Sequence, residues 1–180
     1  MDSWRAGYLQ ENIATFEQYE KWANDALNQL DDDKAFFQNL GPRSHSIAII
    51  IKHVAGNLRS RWMNFLTEDG EKPDRHRDQE FEILTNDSRL SLMQAWKEAW
   101  AILYDELGQL KPEDLEKTIT IRSEPMSVIK AIQRSLAHTA YHAGQILYLC
   151  RLLKEGEWMW ITIAPGESDK YTEKVASVRA

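Results

Sequence analysis

The sequence predicts an all-α protein, a four-helix bundle. Three observations carry that prediction. Apolar residues recur at three- and four-residue steps through four long stretches, Gly and Pro fall almost entirely between those stretches, and no sustained strand alternation occurs. At 180 residues the chain has the length of one compact domain, expected to span 1–180.

The first helix is expected from Arg5 to Leu30, where Leu9, Ile13, Phe16, Ala23, Leu27 and Leu30 fall at helical spacing. "DDDKAFFQNLGPRS" then interrupts the pattern, and Ser44 or Ser46 can cap a second helix running to about Leu66. Its apolar row is Ile50, Val54, Leu58, Trp62 and Phe65. A charged loop follows, "TEDGEKPDRHRDQEFE", before a third helix from about Ser88 to Leu110 carrying Leu92, Trp96, Trp100, Leu103 and Leu107. In the connector that follows, Thr118 to Ile121 alternates polar and apolar, which allows a short extended piece before the last long helix. That helix opens near Pro125, or at Ser127 as cap, and continues to Lys154 with Ile129, Ile132, Leu136, Ala143, Ile146 and Leu153 inside. The tail holds "WMWITIAPGES" and a polar end.

Composition narrows the function. The net charge is −6, with 22 basic residues against 28 acidic ones. A nucleic-acid binder rests on basic patches that neutralise phosphates, so none is expected as a partner. The longest apolar run, Ala99 to Tyr104, is far too short to cross a bilayer, and no membrane partner is expected. "MDSWRAGYLQEN" lacks the basic and apolar regions of a signal peptide. Cys150 stands alone, which excludes an internal disulfide and suits a reducing cytoplasm. Seven tryptophans imply a core or pocket built with large flat side chains.

The stretch with chemistry in it is "HTAYH", residues 138 to 142. Residues four apart on a helix differ by about 40° in direction, so His138 and His142 project from one face. Gln145 continues their row. On the second helix His53 lies at the edge of the apolar row, with Asn57 one turn further on. If those two helices are neighbours, His53 supplies a third imidazole from the facing wall. Three neutral imidazoles leave a divalent metal an open fourth position, the arrangement of a catalytic site. Helix-bundle cores are a recurring place for such ligands. The plainer alternative is three half-buried histidines bonded within the protein and no metal.

Other chemistries are excluded by offset. Position 139 is Thr, so the HExxH glutamate base is missing. The residues three before the histidines are Pro42, Ile50, Pro73, Ser135 and Thr139, so the Glu-x-x-His pattern of di-iron bundles is absent too. There is no phosphate-binding Gly loop, no GxSxG elbow and no CxxC. Cys150 reads as a small core residue, and His45 and His76 as solvated. "RHRDQEF", 75 to 81, reads as a solvated charge run in which Arg75 or Arg77 could meet an anionic substrate.

One histidine in "IIIKHVAGNLRSRW", HxxxH followed by Gly144-Gln145 in "HTAYHAGQILYL" 85 residues later, and "DGEKPDRHRDQEF" between them make the chain resemble the DinB/YfiT-like superfamily, in one of its uncharacterised bacterial branches. The likeness covers nearly the whole chain, including the closing "PGES". It implies a bundle with an unusual helix order, one divalent metal ion per chain (nickel or zinc is typical) and often a homodimer. Carried over by residue, the metal ligands are His53, His138 and His142. Relatives include S-transferases that use bacillithiol or mycothiol and a thiol-dependent isomerase. The expected function is therefore that of a metal-dependent thiol S-transferase, with a low-molecular-weight thiol and an electrophilic small molecule as partners, the latter held against a tryptophan-rich wall. A divalent metal acidifies a thiol beside it, so the missing glutamate base is no obstacle; a water acidified in the same way would make the enzyme a hydrolase instead. Asn57 and Gln145 are candidates to orient ligands or substrate. No catalytic side chain is singled out. The alternative from another class is a non-catalytic metal-binding or stress-response module.

Overall fold

The computed structural model describes residues 3–179. Its elements in chain order are α1 (Ser3–Leu27), α2 (Asp33–Phe37), α3 (Ile47–Trp62), α4 (Arg89–Gln109), β1 (Thr118–Ile121), β2 (Glu124–Ser127), α5 (Val128–Leu153) and α6 (Ser168–Arg179). Short 3-10 turns lie at Arg77–Phe81 and Pro112–Glu116. The protein is thus helical, with one small antiparallel sheet among the described residues. No helix among them is long and apolar enough to cross a membrane.

The caps explain where the long helices begin. Ser46, Ser88 and Ser127 each stand in extended conformation and accept a hydrogen bond from the backbone N–H three residues on. Of the two serines that could cap the second long helix, Ser46 does so. Ser44 instead bonds to Asn39 and Gly41 in the preceding turn.

Two helices end sooner than their apolar rows. After Leu27 the chain tightens into i to i+3 bonds, Gln29 N to Ala26 O and Leu30 N to Leu27 O, and Leu30 stays buried without being helical. Likewise α3 stops at Trp62 because Asn64 takes a left-handed φ of 52°. Phe65 then folds back against Trp62, their ring centroids 4.9 Å apart.

The expected helix start near Pro125 is corrected. Pro125 belongs to β2 and pairs with Thr120. The extended piece is one arm of a hairpin whose two-residue turn, Arg122-Ser123, has φ of 57° and 63°. Both residues at positive φ fit the right-handed twist of a tight hairpin, although neither is the Gly or Asn usually found there. Asp69 compensates by accepting the backbone N–H groups of both Arg122 and Ser123 at 2.8 Å. The tail also contains more structure than its polarity suggests, since Ser168–Arg179 is helical.

Around the core, α1 packs on α5, α5 on α3, α3 on α4, and α4 on α1. Phe16, Leu58, Trp62, Leu103, Leu107 and Ile132 fill the space between them, each 2% exposed or less. Trp96, Trp100 and Tyr104 form a run of aromatic contacts along α4, with Phe16 of α1 edge-on to Trp100. The α3–α5 contact positions the site.

Candidate metal centre

His53 leaves α3 toward α5, and His138 and His142 leave α5 toward α3. One ring nitrogen from each lies within 4.8 Å of the other two, a grouping that could hold a metal ion. The ring centroids of His138 and His142 are 4.6 Å apart, and each is within 5.2 Å of that of His53.

For His53 and His142, hydrogen bonds on the outer nitrogens fix which nitrogen faces inward. His53 Nδ1 donates to Glu80 Oε2 at 2.8 Å, and a carboxylate can only accept. With Nδ1 given to Glu80, Nε2 is the nitrogen of His53 that faces the other imidazoles, 3.2 Å from His138 Nε2. His142 Nδ1 donates to Gln145 Oε1 at 2.8 Å, leaving its Nε2 as a lone pair. That Nε2 is buried and has no hydrogen-bond partner, as has Nδ1 of His138. A buried nitrogen without a partner costs about 1–3 kcal/mol, so an unpartnered His142 Nε2 beside the other two imidazoles suits a cation. Burial pushes His138 down to about 3 and His142 down to about 4, so both are neutral at physiological pH, the form that ligates. Imidazole donors suit several divalent ions, zinc, nickel, copper and iron among them.

Glu80 is the residue that sequence reasoning missed. "RHRDQEF" is only partly the solvated run it resembles. His76, Arg77 and Asp78 are exposed, but Glu80 is buried beside His53. Arg75 grips its carboxylate with two bonds, Nε to Oε1 at 2.8 Å and Nη2 to Oε2 at 3.0 Å. Burial raises the Glu80 carboxyl, yet the bonds from His53 and Arg75 outweigh it and hold the group below the usual glutamate value. Gly56 makes room, because a Cβ there would collide with the Glu80 carboxylate. The segment itself is fastened to α3. Lys52 pairs with Asp87 at 2.7 Å, Arg59 with Asp74 at 3.0 Å, and Ser60 Oγ donates to Gly70 O at 2.9 Å. The available signal was Phe81, an apolar residue inside the charge run. It packs 4.9 Å from the His53 ring.

The histidines border a cavity of about 430 Å³, with His53 and His138 in its wall. Asn57 lines it as well, and the Asn57 amide makes no hydrogen bond among the described residues. A second, smaller hollow reaches His142 and Gln145, and Tyr141 borders both. The expectation of a tryptophan-rich wall is corrected. Trp62 alone of the tryptophans lines the main cavity, while Trp96 and Trp100 are spent in the core. Among the remaining candidates, His45 and His76 are exposed. Cys150 is fully buried, and burial pushes its thiol up to about 12, so it is no nucleophile for this cavity.

Fold and site together define a helical protein with three convergent imidazoles beside a cavity. The family model described as "Protein of unknown function (DUF1572)" matches residues 3–167, and the chain belongs to that family. A comparison with curated proteins finds no match.

Proposed function

We propose that the chain is a metal-dependent enzyme of the DinB/YfiT-like type, a thiol S-transferase holding one divalent ion, zinc or nickel, on His53, His138 and His142. It would join a low-molecular-weight thiol to an electrophilic small molecule. The carrying observation is the convergence of three imidazole nitrogens within 4.8 Å at the edge of a cavity large enough for a small molecule. The cyclic packing of α1, α5, α3 and α4 supports a four-helix bundle as the scaffold.

When bound, a divalent ion supplies Lewis acidity and lowers the pKa of a thiol or water beside it. The chain's own residues do the rest. Glu80 and Gln145 hold two of the imidazoles in the ligating tautomer. Asn57 offers a free amide to a bound molecule, and Trp62 closes the floor with its indole N–H already given to Ser135. Among the described residues no Asp or Glu lines the cavity, which suits a reaction that needs no carboxylate base. A non-catalytic metal-binding or stress-response module is the rival, and the cavity beside the histidines favours the enzyme. The same reading takes the working unit to be a cytoplasmic homodimer.

The test mixes metal-loaded protein with cysteine, bacillithiol or mycothiol and a bimane electrophile, following conjugate fluorescence. Conjugation above background in wild type, absent in metal-free protein and in His142→Ala, is the expected result. Full metal content with no conjugation for any thiol would leave the module.

A further inference from the structure

The chain is acidic overall, yet the main cavity is not. Among the described residues its lining contains Arg61, Arg75, Arg77, Arg122 and Arg134 and no Asp or Glu. These residues arrive from separate parts of the chain: the end of α3, the segment after it, the hairpin turn and α5. Helix amphipathicity does not produce such a convergence.

The nearby acids do not balance them. Glu71 serves Arg61 at 2.7 Å and Arg122 at 3.1 Å, and Glu80 serves Arg75 while also holding His53. Arg77 has only the exposed Asp78 at 3.7 Å, and Arg134 has no carboxylate within ion-pair distance among the described residues. Arg75 is the telling case. Its side chain is 3% exposed, and its Nη1 is buried with no hydrogen bond, the nearest acid oxygen being Glu71 Oε2 at 3.7 Å. A buried guanidinium N–H without an acceptor points to an acceptor that arrives with a ligand. Arginine in every cationic position, with no lysine, suits planar two-pronged recognition of a carboxylate or phosphate.

We propose that this cavity binds an anionic small molecule, its carboxylate or phosphate group held by the arginines and its remainder directed at the His53 and His138 wall. The inference deepens the proposed function and rests on it for what the anion does there. Arg75 forms the buried end of the anion site. Arg77 and Arg134 close it from the solvent side, where both remain exposed. The hairpin turn that carries Arg122 is fastened by Asp69.

Calorimetric titration of the metal-loaded full chain with succinate, inorganic phosphate and neutral succinamide tests this, in wild type and in the double variant Arg77→Gln with Arg134→Gln. Both substituted residues are exposed, and circular dichroism would check that the variant keeps its helices. Binding of at least one anion, weakened about tenfold or more in the double variant and absent for succinamide, is expected from the loss of charge-assisted bonds. Whichever anion binds tighter identifies the head group as carboxylate or phosphate. No binding of either anion, equal binding in the variant, or equal binding of succinamide would overturn the proposal. Metal content measured on the same samples separates the two claims. Arginine-dependent binding without metal would sink the metalloenzyme reading alone, and a metal-loaded protein indifferent to anions would sink the anion site alone.

Discussion

His53 shows how one side chain depends on others far from it in sequence. Its ring is held by Glu80, which is held by Arg75, and Glu80 fits only because residue 56 is glycine. Groups that orient a metal-ligating imidazole typically contribute about 10–100-fold to metal affinity. Glu80→Gln keeps the shape and removes the charge, and should weaken zinc binding within that range, measured by competition with a chromophoric chelator. Gly56→Ala should give a similar loss by pushing the carboxylate aside. Unchanged affinity in both variants would mean that Glu80 is only part of the packing.

The hairpin is tied to the segment after α3 through Asp69. Asp69 is buried enough for desolvation to raise its pKa. Backbone N–H donors from Glu71, Ser123 and Arg122 override that and hold it down, from 3.8 to about 2. A depressed carboxyl adds stability that is complete above its unfolded pKa and lost as pH falls through the folded one. Asp69→Asn should therefore lower the urea midpoint at about pH 7, and the gap from wild type should shrink between about pH 4 and about pH 2. A gap that is constant with pH would assign the effect to shape rather than charge.

Elements of this kind set the limit of what the sequence discloses. The four long helices were legible because Leu9 to Leu27, Ile50 to Trp62, Leu92 to Leu107 and Ile132 to Ile146 each repeat at helical spacing, and Ser88 and Ser127 mark two of their starts. Their ends were not, because Leu30 and Phe65 are buried from turns that periodicity cannot distinguish from one more helical turn. The second strand was hidden by Pro125, which reads as a helix start. The HxxxH pair was visible because it is local. Glu80 is marked only by its apolar neighbour Phe81, because its partner lies 27 residues away across an irregular segment. Cavity residues such as Arg122 share no element with the histidines and leave no pattern at all.

For the molecule as a whole, a metal on His53, His138 and His142 would tie α3 to α5 and stabilise only the folded chain. At free metal about 100-fold above the dissociation constant, that linkage adds about 2.7 kcal/mol. In a chain of this length each kcal/mol moves the thermal midpoint by roughly 2–4 °C, so stripping the ion with a chelator should lower it by roughly 5–10 °C. Re-addition of zinc or nickel should restore it, and His142→Ala should not respond. A midpoint indifferent to chelator would detach the histidine cluster from the stability of the fold.

Whether the three imidazoles hold a metal is decided by metal content. Untagged wild type and His142→Ala, both offered zinc and nickel and then desalted, would be compared by mass spectrometry. About one divalent ion per chain is expected in wild type, and its loss in the variant. No ion in wild type, or a full complement in His142→Ala, would contradict it.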